Sequence, residues 1–297
     1  VVLRPGSVID ARRIGLLAAA GHASVVVHPR PRVAVLSTGA ELVEPGAALR
    51  PGQIYDSNSH LLAAAVEAAG ARTAYRGHVG DDPEQVRALI DRLAGEVDVV
   101  VTSGGVSMGV HDVVKAVLRE RPGVEFVTVA MQPGRPQGFG WLQPEVGGVA
   151  PGLGGDRDGG RQVPFFGLPG NPVSAFVSFE MFVRPLLRRL AGREPATRAT
   201  VRSRLVTPLR SPAGRLQVAR ARIELDAGGG LLASPVAGQG SHFVADLADA
   251  DALLLVPAEV TQLQVGDEVE TILLDGDLDG RQWLATANGD EGEQEHR

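Results

Sequence analysis

Five times in this chain a short apolar run ends on a loop rich in Gly, Pro or acidic residues, at 37–41, 77–83, 102–109, 131–136 and 167–174. Between the runs lie stretches whose apolar residues recur at helical spacing. Val33-Ala34-Val35-Leu36 reads as a buried strand, and residues 97–101 are the most apolar run, as expected of a strand covered on both faces. Further strands are expected at 72–77, 124–129, 138–142 and 163–166. Helices are expected at 58–70, with Asn58 as N-cap, at 111–119 and at 172–190; another opens at Asp82-Pro83 with Val86, Leu89, Ile90 and Leu93 on one face. This alternation predicts an α/β domain over residues 31–194, a three-layer α/β/α sandwich. Loops at the carboxyl ends of its strands converge on one sheet edge, where such folds bind ligands.

The flanks differ in texture. Residues 1–30 hold a helical pattern at 11–20 and an apolar run at 24–27 expected to be a strand, and look like the return segment of a preceding module. Residues 143–162 are Gly-rich and read as an insertion. After Gly192 come short strand-like runs separated by Gly, Pro and Asp turns, which predict a small all-β, barrel-like domain over 195–275. Residues 276–297 are acidic, poor in apolar side chains and expected to be a disordered tail.

Composition narrows the function classes. With 29 basic and 35 acidic residues the net charge is −6, which argues against a broad nucleic-acid surface. No apolar run approaches the roughly 18 residues of a membrane span. The absence of Cys removes disulfides, thiolate zinc sites and Cys nucleophiles, and fits a cytoplasmic protein. Lys115 is the single lysine, so a site that uses Lys elsewhere is expected to use Arg here.

The loops carry the chemistry. Thr102-Ser103-Gly104-Gly105-Val106-Ser107 follows the central strand, and adjacent glycines with successive N–H groups and hydroxyls suit an oxyanion. It is neither a phosphate-binding loop with Gly-Lys-Ser/Thr nor a dinucleotide fingerprint. Gly167-Leu168-Pro169-Gly170-Asn171-Pro172 forms a rigid ledge at a positive helix end. Glu41, Asp56, Asp81, Asp82 and Asp112 are expected near the same edge, where hard oxygen ligands suit Mg²⁺; Asp82 also suits a helix cap, and Asp112 a helix first turn. Arg135 on a Pro-braced turn suits an oxyanion clamp. The seven His residues lack close metal-ligand spacing and are assigned no metal.

In this order the loops resemble the molybdopterin molybdenumtransferases, the family that includes the E domain of gephyrin. The matching pieces are Ser37-Thr38-Gly39 with Glu41-Leu42, Asp56-Ser57-Asn58-Ser59, Asp81-Asp82-Pro83, the Thr102–Ser107 loop, Pro133-Gly134, and Gly167 through Ser174, with Gln239-Gly240-Ser241-His242 in the β region. The resemblance implies that adenylylated molybdopterin binds, AMP is released with Mg²⁺, and molybdate, a substrate, is inserted between the dithiolene sulfurs. It places Thr102, Ser103, Gly104, Gly105, Ser107, Pro169, Gly170, Asn171, Pro172 and Ser174 on the pterin and its phosphate. It places Arg135, Arg220 and Ser241 at the molybdate. Asp56, Asp82 and Asp112 become catalytic, and Glu41, Asp56 and Asp112 metal ligands. It further implies a homodimer, with molybdopterin adenylyltransferase and molybdoenzymes as partners.

Three positions depart from the family pattern: Ala40 stands where it has Asp, Val110 where an acidic residue is usual, and Gln132 where one of two lysines belongs, the other being Arg135. Apart from the expected return segment, nothing in residues 1–297 resembles the family's N-terminal modules. Two alternatives stay open at this point: adenylyl transfer to molybdopterin, and a non-catalytic pterin-binding or scaffold protein.

Overall fold

The computed structural model describes residues 2–106, 112–143, 161–236 and 244–274. They divide into two compact units. One comprises residues up to 127, 136–170 and 178–197; the other comprises 128–135, 171–177 and the residues from 198 on. The expected insertion and the acidic tail lie outside the described residues, apart from Gln143, Arg161 and Gln162 at the insertion's ends.

The first unit is built on a six-stranded sheet. Its strands are β1 (Arg32–Thr38), β2 (Arg72–Val79), β3 (Val99–Ser103), β4 (Val124–Thr128), β5 (Pro136–Leu142) and β6 (Val163–Leu168). They lie in the order β2-β1-β3-β6-β5-β4. The β2–β1–β3–β6 core is parallel and β5 runs antiparallel to β6. Helices α2 (Ser57–Ala68), α3 (Pro83–Glu96) and α4 (Val113–Leu118) follow β-segments, and α1 (Ala11–Ala19) precedes the sheet.

Period-two alternation along the strands divides the core into two layers. Ala34, Leu36 and Val100 pack with Val86, Ile90 and Leu93 of α3 and Val114 and Val117 of α4. Val33, Val35, Val99 and Val101 point the other way, against Leu62 and Val66 of α2 and Phe179, Val183 and Leu187. These two clusters on opposite faces make the expected three layers.

Local structure departs from expectation at residues 24–27 and within 172–190. Residues 24–27 form no strand; Val25, Val26 and Val27 are exposed, and an apolar run without a partner strand has no ladder to join. The helix expected over 172–190 consists of α5 (Pro172–Ser178), a π-helical segment Phe179–Val183, and α6 (Arg184–Leu190).

In the second unit, β7 (Thr200–Leu205), β8 (Leu216–Leu225), β9 (Leu231–Pro235), β10 (Ala252–Val256) and β11 (Glu268–Leu273) pair in the order β9-β7-β11-β10-β8, and β8 pairs back onto β9. That ring of pairings leaves a closed barrel around Leu205, Ala219, Ala221, Ile223, Leu254 and Val269. A helical turn, α7 (Val244–Ala248), precedes β10. Residues 128–135, expected within the α/β domain, group with the barrel because Met131–Gln132 pairs with Leu216 and Gln217 at the edge of β8.

At the amino edge of the first unit's sheet, buried Asp98 holds three segments. Its Oδ2 accepts from Arg32 N at 2.8 Å, and its Oδ1 from Arg161 Nη2 at 3.1 Å and Arg32 Nη2 at 3.2 Å. Arg161 also donates to the carbonyls of Gly95 and Val97. Removing one partner of a buried ion pair strands the other charge. Asp98→Ala is therefore expected to destabilise the protein by about 3 kcal/mol, read as a fall in the urea midpoint with an unchanged slope; a midpoint within error of the parent would show that Asp98 is no anchor.

Candidate functional site

Parallel register decides what meets at the carboxyl edge of the first unit. Ser37 of β1 lies opposite His78 of β2 and Ser103 of β3, and Ser103 lies opposite Leu168 of β6. Four strand ends, with the loops that leave them, therefore stand side by side.

Asp56 organises this edge. It is 1% exposed, and its Oδ1 accepts from Ser37 Oγ at 2.8 Å and from Ser59 N at 3.0 Å. Asp56, not Asn58, is thus the N-cap of α2: its carboxylate reaches the N–H three residues on, which Asn58, already in the first turn, is placed too late to do. Released from capping, Asn58 does something else. Its Nδ2 donates to Ser103 Oγ at 2.9 Å and to Gly170 O at 2.6 Å, while Ser103 Oγ donates to Pro169 O at 3.0 Å. One amide and one hydroxyl thereby fasten the first turn of α2, the end of β3 and the loop after β6.

The glycine pair after β3 is fixed by close packing. Gly104 and Gly105 have φ of +94° and +67°, and a Cβ at Gly104 would lie 2.7 Å from Thr38 O. Only glycine takes that backbone at that distance without strain. Gly104 N–H is engaged by Leu168 O at 3.0 Å, so it joins the loop to β6 and is not an open anion donor. Around this edge Thr38 Oγ1, Asn58 Oδ1, Thr102 Oγ1 and Asp56 Oδ2 are buried without a hydrogen-bond partner among the described residues. Unsatisfied buried polar atoms are costly in a folded protein, and four near the ends of the strands are what a polar ligand would complete.

The other expected residues sort themselves. Asp82 caps α3, accepting from Glu84 N at 2.9 Å, Gln85 N at 3.3 Å and Gln85 Nε2 at 3.0 Å, so both its oxygens are in use. Asp81 Oδ2 accepts from Ala40 N at 3.1 Å and braces the loop after β1. Asp112 occupies the N-cap position of α4 without a side-chain cap bond, and its Oδ2 is buried with no partner among the described residues. Glu41 is exposed, its carboxylate folded over Gly39. Glu41, Asp56 and Asp112 do not form a three-ligand cluster; among the described residues the one such group is Glu44, Asp56 and His78. Ser107, Val110 and Ser241 lie outside the described residues.

In the second unit Arg135 is exposed on the turn before β5, and its carbonyl accepts from Val129 N at 2.8 Å. Arg220 on β8 is 1% exposed. Burial draws its guanidinium below the ordinary arginine range, with Asp246 opposing the shift. Gln132, where the resemblance calls for a cation, accepts from Arg215 Nη1 at 3.4 Å, so the turn that lacks a lysine has an arginine beside it. Asn171, Pro172 and buried Ser174 follow Gly170 along the chain into α5.

Sequence reasoning missed Glu44, His60, Arg76 and His78. Glu44 Oε1 accepts from Arg76 Nη2 at 2.8 Å and lies 3.2 Å from His60 Nε2. The Arg76 hydrogen bond holds the Glu44 carboxyl below the usual range, and Glu44 raises Arg76 in return. Spacing along the chain could not show this group. Register could have, because His78 is the cross-strand neighbour of Ser37.

Comparison with known proteins identifies both parts of the chain. Residues 34–189 match the family described as the probable molybdopterin binding domain, and residues 202–274 match the MoeA C-terminal region (domain IV). The chain is 42% identical over 275 residues to molybdopterin molybdenumtransferase 2 of Mycobacterium tuberculosis, covering 91% of this chain and 63% of that protein. Against the molybdopterin molybdenumtransferase of Haemophilus influenzae it is 32% identical over 270 residues, covering 91% and 62%. The crystal structure of the molybdopterin biosynthesis moea protein from Pyrococcus horikosii superposes with a TM-score of 0.74 at 34% identity, over 92% of this chain and 61% of that one. The chain thus spans just over three fifths of the length of these relatives. With a molybdopterin-binding domain over more than half its length and the domain IV region after it, the chain belongs to the MoeA family.

Proposed function

We propose that this chain carries the pterin-binding and molybdate-inserting portion of a molybdopterin molybdenumtransferase, acting on adenylylated molybdopterin and molybdate with release of AMP. The observation that carries the proposal is the fastening of the Ser103–Gly105 and Pro169–Gly170 loops by Asn58. It presents two rigid backbone ledges, lined by unsatisfied buried hydroxyls, to a ligand with its own donors and acceptors. Thr102, Ser103, Gly105 and Pro169 would line the pterin phosphate and ring. The adenylyltransferase alternative is disfavoured by the domain IV region, which the relatives named as molybdenumtransferases share.

Magnesium belongs to the same proposal, and the donor set fits it in part. Asp112 offers a buried carboxylate oxygen without a partner and Glu41 an exposed one. Mg²⁺ is commonly held by one or two carboxylates together with substrate phosphates. When bound, it would neutralise charge developing on the phosphoanhydride. Asp56 is not included, since one of its oxygens caps α2 and the other faces Glu44 and His78. Asp82 acts as a helix cap. Arg135 and Arg220 remain the proposed molybdate ligands, where cations and fixed donors suit a tetrahedral dianion. A homodimer and a cytoplasmic setting are part of the reading. No helix among the described residues is long and apolar enough to cross a membrane.

Two substitutions test the assignment. Asn58→Ala removes both donations while leaving the Asp56 cap, and is expected to weaken binding of adenylylated molybdopterin by about tenfold, the effect of roughly 1.4 kcal/mol. Isothermal titration checks this; unchanged affinity would detach the fastened loops from the pterin. Arg135→Ala is expected to raise the molybdate concentration needed for half-maximal AMP release by about tenfold with pterin affinity kept. Equal loss of both would place Arg135 outside the anion site, and pterin binding without any AMP release by the parent chain would restrict it to carrying the pterin.

A further inference from the structure

Glu44, Asp56 and His78 each offer one ligand atom, and these atoms lie within 4.8 Å of one another. His78 Nδ1 is 3.9 Å from Asp56 Oδ2 and 4.0 Å from Glu44 Oε2. Neither distance is a hydrogen bond. Ligands around a small divalent ion at ~2.1 Å stand ~3.4 Å apart in tetrahedral geometry, so the two His78 distances close with a contraction of about half an ångström, and no pair of the three needs more than about 1.4 Å.

We infer that these three side chains form a binding site for a divalent transition-metal ion of the Zn²⁺ or Mn²⁺ type. The independent observation is Asp56 Oδ2. It belongs to a residue 1% exposed, has no hydrogen-bond partner among the described residues, and faces His78. A buried carboxylate oxygen left unpaired is expensive, and a cation supplies the missing partner.

The surroundings are arranged as a metal site requires. Each carboxylate has one oxygen tied down and the other turned inward. Asp56 Oδ1 is held by Ser37 Oγ and Ser59 N, and Glu44 Oε1 by Arg76 Nη2 with His60 Nε2 alongside. Arg76 Nη1 donates in turn to Ser59 Oγ at 3.2 Å, joining the two supports. Such outer partners fix ligand orientation and are part of how metal sites work. One imidazole with two carboxylates selects an ion of intermediate softness over Mg²⁺, which prefers an all-oxygen shell. The side chains of Glu44 and His78 are 47% and 31% exposed, which gives an ion a way in and leaves coordination positions to water. Bound there, the ion would grip the residue that caps α2, two positions before the Asn58 that fastens the ligand loops.

The inference stands apart from the transferase reading, and its test needs no pterin. The whole chain, stripped with chelator, is titrated with MnCl₂ followed by electron paramagnetic resonance and with ZnCl₂ followed by calorimetry. One tight site is expected, with nitrogen hyperfine coupling to the bound Mn²⁺. His78→Ala is expected to abolish that coupling, and His78→Ala and Glu44→Gln each to weaken binding by about tenfold or more. Glu224→Gln on the barrel should leave binding unchanged. Circular dichroism on each variant confirms folding, since neither Glu44 nor His78 is buried. Absence of a tight site, or a site indifferent to both cluster substitutions, would overturn the inference and leave Glu44, Asp56 and His78 as an electrostatic cluster alone.

Discussion

The parallel pairing of β2, β1, β3 and β6 is the constraint from which the rest of the first unit follows. Parallel strands emerge at the same sheet edge, so every connection leaving that edge is forced into one neighbourhood, whatever its distance along the chain. In this chain the register sets Ser37 beside both His78 and Ser103, and Ser103 beside Leu168. A shift of one residue would turn Ser103 to the opposite face and bring Thr102 or Gly104 to its position. The two apolar layers forbid that shift, because Val99 and Val101 must face α2 while Val100 faces α3 and α4. The core thus fixes the register, and the register fixes the site.

Polar contacts at the edge complete what packing begins. Ser37, Asp56 and Ser59 make a short buried chain of hydrogen bonds that ends at the N-terminus of α2. Asn58, one residue beyond the first helical position, ties that helix to Ser103 and Gly170. Such a network is strong only when its members are satisfied, and several acceptors here have no partner among the described residues. The folded protein tolerates that cost next to the glycine loops and not in the apolar layers, which is where ligand binding can recover it.

Much of this was legible in the amino-acid order, and the exceptions have physical causes. Continuous apolar runs located β1 and β3, which are buried on both faces, and helical periodicity located α3, which buries one. Periodicity could not place residues 24–27, where apolar character without a partner strand gives no ladder. It also misplaced the α2 cap, because Asp56 and Asn58 are both good capping residues and only Ser37, nineteen positions away, decides between them. The Gly104 N–H looked available for an anion because its partner, Leu168 O, lies on another strand. His78 was invisible for the same reason: ligand spacing along a chain detects sites built on one element, whereas this cluster draws one residue from each of three segments.

Asp56 shows why such a site resists assignment from sequence. A capping aspartate and a metal-ligating aspartate are the same residue type, and here one carboxylate is placed to serve both ends, its Oδ1 committed to Ser37 and Ser59 and its Oδ2 facing His78. The fold must bury Asp56 to start α2, and once buried, its second oxygen lacks solvent and demands a partner. Folding therefore leaves one Asp56 oxygen without a hydrogen-bond partner among the described residues. On that argument helix initiation and cation attraction call on the same carboxylate, so the residue type alone cannot separate the two roles.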